Sequence, residues 1–258
     1  MSESGRFVWY ELLTSDPKKA KKFYGSVVGW TTEPFGSGGN PYEMWKAGDT
    51  PIGGVMGITP ETAAPDEKPH WWAHVAVDDV DASAKLAQKL GGSVRVPPTD
   101  IPEVGRFAII ADPQGAKIAL FQPGGEPMEP PKPMTPGTVS WHELHTTDYE
   151  AAWKFYSKLF GWKPTSAMDM GEMGTYFMFG HPDDAKDASM GGMFNACGTT
   201  DQPPRWLYYV TVPAIDPALK HIKEGGGKVL FGPEDVPGGR IVQGEDPQGA
   251  MFAVFGAK

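Results

Sequence analysis

The chain has 258 residues with 40% apolar and 12% aromatic content, enough for about two ordinary globular domains. Its 23 basic against 32 acidic residues leave a net charge of −9, which excludes a general affinity for nucleic acid or anionic membrane. No run of about 18 apolar residues is present to span a bilayer, and the single cysteine, Cys197, cannot form an internal disulfide.

In chain order, Phe7 to Leu13 is rich in aromatic and branched residues and reads as a strand. Asp16-Pro17 then supplies a side-chain cap and a proline preset for a first helical turn. Ala20, Phe23, Tyr24, Val27 and Val28 recur at helical spacing, and Gly29 is a natural stop. Short strands are expected near 31–35, 43–47 and 52–58, giving the order β, α, β, β, β. Trp71 to Val77 opens that order again. A helix over Asp79 to Leu90, ended by Gly91-Gly92, precedes strands at 93–96, 106–111 and 116–121, the last two split by the tight turn Asp112-Pro-Gln-Gly115.

The stretch after Gln122, QPGGEPMEPPKPMTPG, carries six prolines and reads as an extended spacer. Beyond it the text repeats. FVWYELLTSDPKKAKKFYGSVVGW from Phe7 is answered without gaps by VSWHELHTTDYEAAWKFYSKLFGW from Val139, and DIPEVGRFAIIADPQGAKIALF from Asp100 by DVPGGRIVQGEDPQGAMFAVF from Asp235. A match of that length is an internal duplication. The expected division is 1–122, a linker at 123–137, and 138–258. The second half then follows the first: strand 139–145, a helix ending at Gly161, strands near 163–166, 175–179 and 189–194, strand 206–212, a helix over 217–223, and strands near 228–231, 240–244 and 250–255. The expected class is α+β, with four βαβββ modules.

Asp16-Pro with Lys-Phe-Tyr and Gly-Trp, together with the late Asp-Pro-Gln-Gly-Ala, resembles the vicinal oxygen chelate superfamily of glyoxalase I, bleomycin-resistance proteins and extradiol dioxygenases. The resemblance covers nearly the whole chain. It implies two glyoxalase-like domains, each curling a mixed sheet around a cleft, and it spans isomerases, oxygenases, lyases and sequestering proteins. Metal enzymes of that superfamily take His or Glu ligands from first and last strands of paired modules. By register those positions here are Trp9, Trp72, Trp141 and Leu207 on first strands and Ala119 and Ala253 on last strands, with glycine-rich strands around Gly54 and Gly192. None of them is a metal ligand. The expectation is therefore no cofactor, with a divalent metal kept as the alternative.

Side chains alternate along a strand, so Glu11 shares a face with Trp9, Glu143 and His145 with Trp141, His74 with Trp72, and Tyr209 with Leu207. A histidine facing a carboxylate suits proton transfer, so Glu11, His74, Glu143 and Tyr209 are the catalytic candidates. Glu11, Glu143 and His74 each have an alternative reading as an inter-sheet hydrogen-bonding group. Trp9, Trp45, Trp72, Trp141 and His145 are expected to line ligand sites, and Arg106 and Arg240, in matched Gly-Arg pairs, to meet an anionic substituent at a mouth. His142 is expected on the opposite face, as a core histidine. The FY pairs read as core residues and Cys197 as a structural thiol.

These observations lead to a protein that binds a small hydrophobic or aromatic molecule without a metal, with lyase or isomerase-type proton chemistry. The alternatives are a sequestering protein of the resistance type and a metal-dependent glyoxalase-like lyase or dioxygenase. No nucleic acid or membrane partner is expected. Monomer and homodimer both remain open, and the N-terminal text MSESGRFVWY, without a basic start or apolar stretch, suggests a cytoplasmic location.

Overall fold

A computed structural model describes residues 3–36, 42–60, 67–125, 132, 134–196 and 202–258. Cys197 and residues 126–131 and 133 of the proline-rich linker lie outside the described residues. The chain order is β1 (Phe7–Thr14), α1 (Pro17–Val28), β2 (Thr31–Phe35), β3 (Tyr42–Ala47), β4 (Thr50–Gly57), β5 (His70–Ala76), α2 (Val80–Lys89), β6 (Ser93–Ile101), β7 (Gly105–Ala111) and β8 (Lys117–Pro123). It continues with β9 (Val139–Thr146), α3 (Tyr149–Phe160), β10 (Lys163–Asp169), a 3-10 turn (Gly171–Met173), β11 (Thr175–Gly180), β12 (Gly191–Asn195), β13 (Arg205–Ala214), α4 (Ile215–Glu224), β14 (Lys228–Val236), β15 (Gly239–Glu245) and β16 (Met251–Ala257). The βαβββ order thus runs four times.

Local chemistry sets the helix ends. The Asp16 side chain accepts the Lys19 N–H at 3.1 Å, and Asp148 and Asp79 do the same for Ala151 at 3.0 Å and Ala82 at 2.8 Å. Gly29 (φ 78°) and Gly161 (φ 71°) end α1 and α3 in the left-handed conformation that glycine adopts without a Cβ penalty.

The strands form two eight-stranded mixed sheets, ordered β2-β3-β4-β1-β5-β8-β7-β6 and β10-β11-β12-β9-β13-β16-β15-β14. At the sheet edges, β6 and β14 run to Ile101 and Val236, five residues past the expected ends. They carry Pro97, Pro98 and Pro233, and their pairing with β7 and β15 slips in register beside these residues. Edge strands tolerate proline and bulges because one row of their backbone groups needs no partner. Among the described residues no helix is long and apolar enough to cross a membrane.

By compactness the chain divides into two units, each taking one module from each half of the sequence. One comprises Met1–Val8, Trp72–Pro130 and Trp141–Trp206, and the other Trp9–Trp71, Pro131–Ser140 and Leu207–Lys258. In the second unit α1 packs against α4, and the core gathers Phe23, Tyr24, Trp30 and Trp45 with Val210, Ile222, Phe252 and Val254. In the first unit α2 packs against α3, and Trp162 lies stacked on Phe179 at 4.5 Å.

Each unit contains the same buried lock. In the Asp-Pro-Gln-Gly turn before β8, Asp112 Oδ1 accepts the backbone N–H groups of Gln114, Gly115 and Ala116 at 2.7 to 2.9 Å. Its Oδ2 accepts the Tyr156 hydroxyl at 3.0 Å, and Trp206 Nε1 donates to that same Tyr156 oxygen at 3.1 Å. In the other unit Asp246 accepts Gln248, Ala250 and the Tyr24 hydroxyl, which receives Trp71 Nε1 at 2.9 Å. Burial raises both aspartates, and the turn N–H groups and the tyrosines oppose it. The tyrosine of each Phe-Tyr pair is therefore a core residue that also ties a helix of one half to a turn of the other.

Removing either hydroxyl leaves a buried carboxylate short of a donor, which costs about 1–3 kcal/mol. Tyr156→Phe and Tyr24→Phe should each lower the urea midpoint accordingly. A midpoint unchanged in both variants would show that the locks carry no stability.

Candidate functional site

Alternation along β1 puts Leu12 into the core beside α1 and Tyr10 edge-on to Tyr208 at 5.6 Å, so Trp9 and Glu11 occupy the other face. Glu11 pairs in register with Gly54 on the parallel neighbour β4, and Gly54 in turn pairs with Met44 on β3. Tyr42, two residues before Met44, leans over the glycine. Its hydroxyl donates to Glu11 Oε2 at 3.1 Å and accepts the Trp9 indole N–H at 2.9 Å. A Cβ on Gly54 would overlap the Tyr42 hydroxyl and lie 2.7 Å from Glu11 Oε1, so only glycine leaves room for this contact.

The other unit repeats the assembly more tightly. Glu143 on β9 pairs with Gly192 on β12, which pairs with Met178 on β11. Tyr176, again two residues before the methionine, donates to Glu143 Oε2 at 2.7 Å and accepts Trp141 Nε1–H at 2.7 Å. Here the carboxylate has a further partner: His145 Nε2 lies 2.7 Å from Glu143 Oε1, and Arg205 donates to His145 Nδ1 at 3.2 Å. Phe194 closes over the imidazole with ring centroids 4.9 Å apart. Glu143 and His145 are each 6% exposed.

Burial is the dominant electrostatic influence on Glu11, His74 and His142. It pushes the Glu11 carboxyl up to about 8 against the hydrogen bonds from Tyr42 and Trp9. Burial and the neighbouring glutamate raise the Tyr42 and Tyr176 phenols, which stay protonated as donors. His74, packed near Phe107 and Phe121, is pushed down to about 4 by burial. His142 is also lowered to about 4; it stacks on Phe7 at 3.7 Å and meets the Met190 carbonyl at 2.7 Å. It sits in the packed interior, as its register predicts.

The structure thus joins Trp9 to Glu11 and Trp141 to Glu143 and His145, through Tyr42 and Tyr176. Glu11 and His74 belong to different units, as do Glu143 and Tyr209. Tyr209 is buried, its hydroxyl accepting Gln243 Nε2 at 2.6 Å, while Trp72 lies half-buried on β5. Trp45 does not join Tyr42 and Glu11: it is fully enclosed, with Tyr24, Trp30 and Trp71 around it. Arg106 lines an open groove of about 420 Å³ but is held by Asp81 at 2.8 Å and Asp100 at 2.7 Å. Arg240 is held likewise by Asp216 and Asp235. Sequence reasoning missed Tyr42 and Arg205 altogether. For the tyrosine a signal existed, since Tyr42-Glu-Met-Trp and Tyr176-Phe-Met-Phe stand at matching places in the two halves.

The pattern of the Glyoxalase/Bleomycin resistance protein/Dioxygenase superfamily matches residues 6–120 and 138–254. The chain belongs to this superfamily. The anthracycline biosynthesis protein DauV of Streptomyces sp. (strain C5) is 31% identical over 97% of this chain and 92% of its own length. A putative glyoxylase, CFP32, of Mycobacterium tuberculosis is 44% identical over 48% of this chain, and the match spans about half of that relative, 46%. Among solved structures, the Mn(II)-bound glyoxalase from Novosphingobium aromaticivorans superposes with a TM-score of 0.65 at 18% identity, over 99% of this chain and 83% of that one. The 2,2',3-trihydroxybiphenyl 1,2-dioxygenase of Sphingomonas wittichii gives 0.67 at 13% identity, over 99% and 91%. These structural likenesses concern the fold.

Superfamily members that use a divalent metal need several nitrogen or oxygen donors converging on one point. The first-strand positions here offer indoles and Leu207, and the last-strand partners of His74 and Tyr209 are Ala119 and Ala253. Glu11 and Glu143 face glycines across the strand. Among the described residues no three His, Cys, Asp or Glu side chains gather closely enough to hold an ion. The donor set does not fit a superfamily metal centre.

The raised Glu11 has a measurable consequence. Between its ordinary 4.5 and its folded value of about 8, the folded chain keeps a proton that the unfolded chain has lost, so Glu11 contributes stability that is lost as pH rises through 8. His74 and His142, lowered from 6.5 to about 4, act oppositely: the unfolded chain takes up protons first, and stability falls as pH drops through that window. Glu11→Gln removes the opposing group, so the loss of stability on acidification from about pH 6 to about pH 5 should steepen by up to about 1.4 kcal/mol per pH unit. An unchanged slope in urea titrations would mean that Glu11 is ionised in the fold.

Proposed function

We propose that the chain binds a small hydrophobic or aromatic molecule against its Trp–Tyr–Glu faces and moves a proton on it through the buried glutamates, without a metal. The observation that carries this reading is the twofold assembly itself: an indole, a phenol and a desolvated carboxyl converge at both Glu11 and Glu143. Desolvated titratable groups of this kind suit general acid–base work, and aromatic faces suit a flat ligand. The donor set at the superfamily's metal positions supports chemistry on side chains alone. The near full-length relative DauV carries a name that places it in anthracycline biosynthesis, which makes a polycyclic phenolic ketone the natural probe.

The test uses a hydroxyanthraquinone bearing a methyl ketone side chain. Tryptophan fluorescence reports binding with and without EDTA, and NMR in D₂O follows exchange of the ketone α-protons. The reading predicts saturable binding insensitive to the chelator, and exchange that falls at least about 100-fold in the Glu11→Gln/Glu143→Gln double variant, the lower end of what a positioned base supplies. Binding that needs added metal would favour the metal-dependent alternative. Binding with no accelerated exchange would leave sequestration, and full exchange in the double variant would remove the glutamates from the chemistry.

A further inference from the structure

The two Trp–Tyr–Glu assemblies differ in one respect. On β9, His145 stands two residues beyond Glu143, where β1 has Leu13 beyond Glu11, and the position before the strand tryptophan that the two halves share is Arg205 at Trp206 but His70 at Trp71. The Glu143 copy has an imidazole on its carboxylate and a guanidinium on that imidazole.

The direction of every hydrogen bond in this copy follows from two residues. Arginine and the tryptophan indole have donors and no acceptor. Because Arg205 donates to Nδ1, the neutral ring must carry its proton on Nε2, which then donates to Glu143 Oε1 at 2.7 Å. Because Trp141 donates to the Tyr176 oxygen, the phenol must spend its own proton on Glu143 Oε2 at 2.7 Å. Two directed chains, Arg205→His145→Glu143 and Trp141→Tyr176→Glu143, thus end on the two oxygens of one carboxylate.

We propose that Arg205 is a positioning residue that locks His145 in its neutral Nε2–H tautomer, so that Glu143 is held as a pure acceptor and its copy of the assembly is a proton-transfer site. The purpose assigned to the lock rests on the proposed function, whereas the lock itself is a property of the protein alone. The charged and titratable groups facing the imidazole are Glu143 on its own strand and Arg205 from β13, with Phe194 from β12 across the ring and Tyr176 from β11 on the far carboxylate oxygen. A second proton on His145 would have to enter at Nδ1, where the guanidinium already sits.

The experiment needs no ligand. The protein, ¹⁵N-labelled at histidine, is studied by long-range ¹H–¹⁵N NMR, with the His145 ring assigned by its loss in His145→Gln. The expected spectrum at neutral pH is that of the Nε2–H tautomer. Arg205→Met should release Nδ1 and move the ring ¹⁵N shifts at neutral pH off the pure Nε2–H pattern, and Arg205→Lys should restore most of the original pattern. An Nδ1–H ring or an even tautomer mixture in the unmodified protein would overturn the proposal, even if Arg205→Met fails to fold. So would a folded Arg205→Met whose ring keeps the pure Nε2–H pattern. If the lock is seen but Glu143→Gln leaves α-proton exchange intact, the proposed function fails while the lock stands.

Discussion

The Tyr–Glu hydrogen bond on each first strand exists because a glycine stands across from the glutamate. With any side chain at Gly54 or Gly192 the tyrosine ring would have no place to lie, since an added Cβ overlaps Tyr42 in one copy and Tyr176 in the other. Without the tyrosine, the buried carboxyl group would lose a hydrogen-bond partner and the indole would lose its acceptor. The glycine thus permits a phenol to satisfy a carboxyl group enclosed by apolar surface. It also explains why the two assemblies share one geometry although their outer partners differ.

A second set of buried hydrogen bonds holds the modules. The Asp–Tyr–Trp locks draw their aspartate from a turn in one half of the sequence and their tyrosine from a helix in the other. A carboxylate that already accepts two or three turn amides is a rigid acceptor, so the tyrosine that reaches it is fixed in direction as well as in burial. The duplicated sequence therefore yields units that mix its halves. In both, the Phe-Tyr motif contributes one ring to the apolar core and one hydroxyl to the lock.

Much of this architecture was legible in the residues. The capping aspartates, the stopping glycines and the helical spacing of Ala20, Phe23 and Val27 act within a few residues, and the structure follows them. The ends of β6 and β14 were not legible, because prolines that normally close a strand are accommodated by bulges at a sheet edge. In the site, alternation along one strand correctly grouped Trp9 with Glu11 and Trp141 with Glu143 and His145. Aromatic content alone grouped Trp45 with the ligand-facing aromatics, yet Trp45 is an odd number of residues from Tyr42 and lies enclosed in the core. Arg205 carried no local signal: it follows a Pro-Pro pair at the mouth of a strand, and only the folded sheet brings it to His145.

The central claim is that each first-strand glutamate is committed to a tyrosine rather than to a metal. A crystal structure grown with excess Mn(II) tests it directly. The account predicts Tyr42 and Tyr176 hydroxyls within hydrogen-bonding distance of Glu11 and Glu143 and no ion at either carboxylate. An ion at the roughly 2.0–2.2 Å expected of carboxylate coordination, held by Glu143 and His145 with Tyr176 swung aside, would contradict it.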